Sequence, residues 1–201
     1  MQIAVHHRGS GRMSGSEFRS FQARRPEHER WELVGGVAMM MTPPTIAHNQ
    51  IASNLERLLN DALARHAPAW MAAQRPGLDL GTGDFRPEPD VGVIDADYDP
   101  GQRFVDKAYL LAEVISDTDE VIVPGTDRRW IEVKRELYRA HPQCLAVLVI
   151  AQARMEVMLE LRGSGGWTSI SLEAGDELSL PTFGLVCGVA DLYERTPVPR
   201  N

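Results

Sequence analysis

Three carboxylates occupy positions where a charged group is expensive. Glu32 lies between Trp31 and Leu33, Asp90 follows Pro89 and opens the run Val91-Gly92-Val93-Ile94, and Glu113 sits inside the apolar stretch from Tyr109 to Ile115. An ionised carboxylate in an apolar strand needs a cation or hydrogen bonds to offset its lost hydration. Two such groups on neighbouring strands would offer a hard divalent cation the oxygen ligands it prefers. The plainer alternative places Glu32 and Asp90 in solvent at strand ends, where acids are common. For Glu113, embedded in its apolar run, the functional reading is favoured.

The lysines are the second clue. Of 21 basic side chains only Lys107 and Lys134 are lysine, and the other 19 are arginine. Lys134 stands four residues after Trp130 and four before Tyr138, so the three share a helix face with Leu137. That face is otherwise apolar and is expected to point inward. An inward lysine could extend its amine to a metal-bound water or a phosphate oxygen. The alternative is a stem lying over apolar surface with its ammonium in water. Lys107 has no assigned role. His48 falls in register with Ala52, Leu55 and Leu59, on the inward stripe of a helix or at its edge. A lone histidine there is more often a hydrogen-bonded core residue than a catalyst.

Other chemistries find little support. His141 and Cys144 have no second pair of ligands, so they make no zinc site. Gly163 to Gly166 is followed by no Lys-Ser or Lys-Thr and reads as a turn rather than a phosphate loop. No serine sits in a nucleophile elbow. The acids from Asp79 to Asp99 lack calcium-loop spacing and read as solvated surface, Asp90 excepted.

The elements that must carry these residues follow from periodicity and turn residues. Ser14 or Ser16 is expected to cap a short helix with Phe18 and Phe21, ended by Pro26. Trp31 to Val34 and Val37 to Met41 flank Gly35-Gly36 as a hairpin. Thr45 caps a long helix to about His66, with Ile51, Leu55, Leu58, Leu59, Ala62 and Leu63 at the helical period. Short strands are expected at Trp70 to Ala73, Leu78 to Leu80 and Val91 to Ile94. Tyr109 to Ile115 and Leu145 to Ile150 suit buried central strands. A helix is expected over 128–140. Met155 to Leu161 and Trp167 to Leu172 form a second hairpin. A turn at Pro181 to Gly184 precedes a short segment ending near Tyr193. The class is therefore α/β or α+β.

Length and composition bound the rest. The chain has 201 residues, 43% of them hydrophobic, and a formal charge of −7. One domain over 14–195 is expected, with a disordered tail at 1–13 and a Pro-rich tail at 196–201. Met13 is an alternative start to Met1. The acidic balance argues against coating nucleic acid by bulk charge, though not against a local basic groove. Such a groove would rely on arginines such as Arg86, Arg103, Arg128, Arg129 and Arg135. Cys144 and Cys187 read as buried thiols of a reducing compartment. No apolar run reaches the ~18 residues of a membrane span, and 1–15 holds no signal-peptide core. A cytoplasmic location without membrane contact is expected.

Read in order, these residues resemble the Uma-type family of bacterial restriction endonucleases, within the PD-(D/E)XK phosphodiesterase superfamily. Trp31-Glu32-Leu33-Val34-Gly35-Gly36 is similar to its opening hairpin. Met41-Thr42-Pro43-Pro44-Thr45, with His48 and Ile51, is similar to its helix entry. Pro89-Asp90-Val91, Glu113-Val114-Ile115-Ser116 and Lys134 with Tyr138 match its central motifs. Gly175-Asp176-Glu177-Leu178 and Pro181 to Tyr193 resemble its C-terminal segment. The likeness spans about 14–194, and its weight lies in the order and spacing of motifs that are each weak alone.

The resemblance implies a restriction-endonuclease-like mixed β-sheet flanked by helices, with hairpins at both ends. It implies that Asp90 and Glu113 hold Mg²⁺ or Mn²⁺ and that Glu32 completes the acidic cluster. Lys134 would stand in for the superfamily lysine two residues after the glutamate, where this chain has Ile115. His48 and Tyr138 would support them. The implied activity is metal-assisted hydrolysis of DNA phosphodiesters. Two positions depart from the family pattern. Ser116-Asp117-Thr118-Asp119 stands where Ser-Pro-Ser-Thr is common, and Trp130 stands where an Asp often precedes the lysine. These departures and the −7 charge keep an alternative open, a weak or inactive nuclease fold that binds DNA or a protein. A homodimer through the apolar C-terminal hairpin is also expected.

Overall fold

In a computed structural model, residues 12–26, 28–81, 83–116 and 121–199 are described. The chain opens with α1 (Gly15–Gln22), capped by Ser14 in a capping box with Glu17. β1 (Trp31–Val34) and β2 (Val37–Met40) form the first hairpin. Gly35 and Gly36 have φ of +58° and +80°, as a two-residue hairpin turn of this hand requires. Met13, placed in the tail by the sequence, donates its amide to the Gly36 carbonyl at 2.8 Å. The rest of the expected tail, apart from Arg12, lies outside the described residues.

The apolar period produces α2 (Ile46–His66), which buries Ile51, Leu55, Leu59, Ala62 and Leu63. Its cap is Thr45, whose Oγ1 accepts the His48 amide at 3.1 Å. The same hydroxyl donates to Gln152 Oε1 at 3.0 Å, tying the helix start to the sheet. Thr45→Ala is expected to cost about 1 kcal/mol, read as a lower urea midpoint at unchanged slope.

Ten strands follow: β3 (Trp70–Gln74), β4 (Gly77–Leu78), β5 (Val91–Asp95), β6 (Phe104–Val105), β7 (Leu110–Ile115), β8 (Ala146–Ala151), β9 (Glu156–Gly163), β10 (Gly166–Glu173), β11 (Glu177–Leu180) and β12 (Leu185–Gly188). Six of them form one mixed sheet in the order β10-β9-β8-β7-β5-β3. Only β7 and β8 are parallel in it, because α3 (Trp130–Ala140) makes the crossover between them. The class is thus mixed α and β, with a helix layer on each face of the sheet.

Strand alternation sorts the side chains. Leu110, Ala112 and Val114 of β7 join the core under α2. Leu111 joins a second cluster with Tyr138 of α3, and Glu113 points to that same side. Each face of β7 is covered, so its sequence reads as one apolar run rather than an alternating one.

Three boundaries differ from expectation. α3 begins at Trp130, not Arg128, because 121–123 pair with 128–130: Val123 donates to the Arg128 carbonyl at 2.9 Å and Trp130 to the Val121 carbonyl at 2.6 Å. β6 pairs in parallel with β4, two residues each, too short to leave a periodic signal. The expected C-terminal turn is the corner of a full hairpin, β11 with β12, joined through a 3₁₀ turn at Pro181–Phe183.

Candidate active site

Register brings the two strand carboxylates together. β5 and β7 are antiparallel with Val91 opposite Ala112, so Asp90, one step before β5, falls beside Glu113. Asp90 Oδ2 accepts the Val114 amide at 2.9 Å. Its Oδ1 lies 3.0 Å from His48 Nε2 and 3.7 Å from the Arg30 guanidinium. His48 is therefore no isolated core histidine; it leaves the first turn of α2 to meet Asp90.

α3 supplies the cation. Lys134 Nζ stands 3.0 Å from each Glu113 oxygen and 2.9 Å from Glu32 Oε1. One turn later, the Tyr138 hydroxyl donates to Glu113 Oε1 at 2.6 Å. One turn earlier, the Trp130 indole N–H donates to Glu32 Oε2 at 2.7 Å. The Glu88 amide completes Glu32 by donating to Oε1 at 2.7 Å. A single stripe of α3, spaced by four, thus holds Glu32 and Glu113 on one ammonium. Glu32, Asp90, Glu113 and Lys134 are 1%, 5%, 6% and 7% exposed, so the lysine does not run its head out to solvent.

Burial and mutual charge set the protonation of this group. Burial pushes the Glu113 carboxyl up to about 8; the Lys134 ammonium opposes the rise, while Asp90 and Glu32 add to it. Burial also disfavours the charged Lys134, but Glu113, Glu32 and Asp90 outweigh it and raise the amine above its usual value. The two shifts compete, since a protonated Glu113 weakens the field that raises Lys134. Glu32, 2.9 Å from Nζ, is a second anion that favours the charged lysine. Burial would also raise Asp90, yet His48, Lys134 and the Val114 amide bring it below its ordinary value.

These groups floor a cleft of about 310 Å³, walled by Met40 to Thr45, Val121 and Gln152. Ser116 lies at its rim, while the expected departures Asp117, Thr118 and Asp119 fall outside the described residues. Among the described residues no three His, Cys, Asp or Glu side chains form a group able to hold a metal ion. Glu32 has its oxygens engaged by Lys134, Trp130 and the Glu88 amide. Asp90 and Glu113 still suit a hard cation chemically. Mg²⁺ keeps much of its water and is commonly held by one or two carboxylates together with phosphate oxygens.

A family model described as "Putative restriction endonuclease" matches residues 16–190. The chain belongs to this family, Uma2. Its fold is similar to the crystal structure of a putative nuclease belonging to DUF820 from Anabaena variabilis. The TM-score is 0.64 at 15% identity, over 87% of this chain and 96% of the other. No curated protein matches the chain.

This Uma2 chain carries site residues that the sequence did not single out. Arg30 stands between Glu88 and Asp90, 4.0 Å and 3.7 Å from their carboxylates. Glu88, expected in solvent, is largely buried, and its carboxyl is raised first by that burial and then by Glu32. Neither residue lies in a periodic run, so no pattern marked them. Trp130 is not the loss of a polar group, since its indole N–H bonds Glu32. Trp130→Phe should leave that buried oxygen short of a donor and cost about 1–3 kcal/mol, measured by denaturation.

The arginines expected to form a basic groove are mostly committed elsewhere. Arg86 is buried, with its guanidinium 3.4 Å from Asp79. Arg128, Arg129 and Arg135 pair with Glu136, Glu132 and Glu160. Lys107 reaches Asp95 at 3.6 Å, away from the cleft. Among the described residues no helix is long and apolar enough to cross a membrane.

Proposed function

We propose that the chain is a metal-dependent endonuclease that hydrolyses phosphodiester bonds of DNA. The observation that carries this reading is Lys134 Nζ held 3.0 Å from Glu113 at the floor of an open cleft, beside Asp90. Asp90 and Glu113 would hold Mg²⁺ or Mn²⁺. When bound, the ion would polarise a phosphoryl oxygen and lower the pKa of its water. His48 and the Val114 amide fix the Asp90 carboxylate. Tyr138 fixes that of Glu113. Lys134 presents a permanent positive charge to the attacking oxygen or the phosphorane as negative charge grows there. Glu32, with Trp130 and the Glu88 amide behind it, orients Lys134; we assign it this positioning role rather than that of a metal ligand. His48 also lines the cleft, and in this reading its imidazole would be available for proton transfer there.

The test is incubation of the purified protein with plasmid and Mn²⁺ or Mg²⁺, beside Asp90→Ala. Cleavage by the wild type and at least a hundredfold loss in the variant are expected. Failure to cleave any DNA form with either metal would overturn the reading in favour of a non-catalytic binding module. A homodimer remains a proposal: β10 is an edge strand with Ile170 exposed, and light scattering at twice the chain mass would support it.

A further inference from the structure

A second cavity, of about 430 Å³, shares Arg30 with the candidate catalytic cleft and is lined by Glu88 as well. Its lining is unlike that of a chain with net charge −7. Arg25, Arg30, Arg75 and Arg103 converge on it, against the acids Glu29 and Glu88. Glu29 already accepts the Trp31 indole N–H at 2.7 Å, and Glu88 accepts from Gln22 at 2.9 Å. Arg25 Nε and Arg30 Nε are buried without a hydrogen-bond acceptor. The Arg75 guanidinium makes no close hydrogen bond or ion pair among the described residues, and its charge acts on Glu88 only at longer range. Arg75 also has φ of +52°, a left-handed conformation that a non-glycine residue rarely holds. Its amide is anchored on the Asp90 carbonyl at 3.2 Å, which couples the turn to the catalytic strand. The remaining wall is aromatic and apolar, with Phe104 beside Tyr98, one of the few large apolar side chains left exposed at 56%.

Cationic side chains beside an exposed ring are what a nucleotide requires: the guanidinium groups take the phosphate and the ring takes the face of the base. The route from the reacting centre is short. A smaller recess lined by His48, Asp90, Arg30 and Arg75 shares wall residues with both the cleft and this cavity. A base still stacked in a duplex cannot enter a concave cavity, so the occupant must be unpaired. We propose that this cavity is a subsite for one unpaired nucleotide of the substrate strand, flanking the phosphodiester to be cut. Arg75 and Arg25 contact its phosphate and Tyr98 stacks on its base. The proposal rests on the nuclease reading of the neighbouring cleft. It adds that the preferred substrate carries single-stranded character there.

The experiment measures binding without added metal. Labelled single-stranded and duplex oligonucleotides of one sequence are titrated with wild type, Tyr98→Ala and Arg75→Asn. Both sites are exposed and asparagine tolerates the left-handed backbone, so both variants should keep the wild-type melting temperature. The wild type should bind the single strand at least tenfold more tightly. Tyr98→Ala should lose about tenfold on the single strand and little on the duplex. Arg75→Asn should lose affinity and show a shallower dependence on salt. Deoxynucleoside 5′-monophosphates, titrated while NMR shifts around Tyr98 are followed, probe the cavity apart from any nuclease activity. DNA bound or cut with unchanged affinity by both variants would overturn the subsite and leave the nuclease reading standing. Monophosphate binding that Tyr98→Ala abolishes, in a protein that cuts no DNA, would support a nucleotide pocket and sink the nuclease reading. Absence of both kinds of binding would overturn both.

Discussion

Replacing Lys134 with methionine is expected to abolish DNA cleavage and to lower stability by about 3–5 kcal/mol. Methionine keeps most of the buried volume, so the loss is electrostatic rather than a cavity. Glu32 and Glu113 would remain buried without the ammonium they share at 2.9 and 3.0 Å. One of them must then take up a proton, or the cluster must open to water. Urea denaturation would measure the stability change, and a plasmid assay the activity. Mn²⁺ should restore part of the lost stability without restoring cleavage, because a dication between the carboxylates replaces the missing charge but not the positioned amine. A variant as stable as the wild type and still able to cut would remove Lys134 from the site.

How far the sequence anticipated this arrangement depends on what each residue's neighbours reveal. α2 was legible because its apolar period is long and Thr45 follows two prolines. Lys134 was legible as inward because Trp130 and Tyr138 share its face. That Glu113 would meet it was not a matter of periodicity. It depends on the parallel pairing of β7 with β8, which lays α3 across the sheet. The family resemblance implies a mixed sheet flanked by helices, but not which strands pair in parallel or in what register. Arg30 and Glu88 show the limit. Both sit in irregular chain beside the hairpin and are buried only because β1 folds back against 86–88, with Arg86 donating to the Leu33 carbonyl at 2.9 Å. Irregular segments carry no period, so their burial is set wholly by tertiary contacts.

Tertiary contacts also set Glu32 apart from the other two acids. The family resemblance makes it one more acid of a metal cluster. In the fold it is the most buried of the three acids and the most fully hydrogen-bonded. A carboxylate already satisfied by two N–H donors and an ammonium has little to offer a cation entering from the cleft. Under the proposed mechanism it has more to offer a lysine that must hold one position. Trp130, a departure from the family pattern, is the residue that makes this role possible.

Glu113→Gln separates an enzyme from a binding module most sharply. The amide keeps Oε1 as an acceptor for both Tyr138 and Lys134 and removes the carboxyl that burial pushes up to about 8, the acid of this dry site least easily ionised. Without metal, stability should therefore stay within about 1 kcal/mol of the wild type. With Mn²⁺ at ~100 times its dissociation constant, the wild type should gain about 2.7 kcal/mol. A domain of this size would show that gain as a rise of roughly 5–10 °C in melting temperature. Glu113→Gln should show almost none of it and should not cleave DNA. Asp90→Asn should behave alike in metal, but it also gives up the charge that His48 and Arg30 face, so its metal-free stability should fall further. If Mn²⁺ and Mg²⁺ leave the wild-type melting temperature unmoved while DNA still binds, the carboxylates serve only to hold Lys134, and the chain is a binder on a nuclease fold.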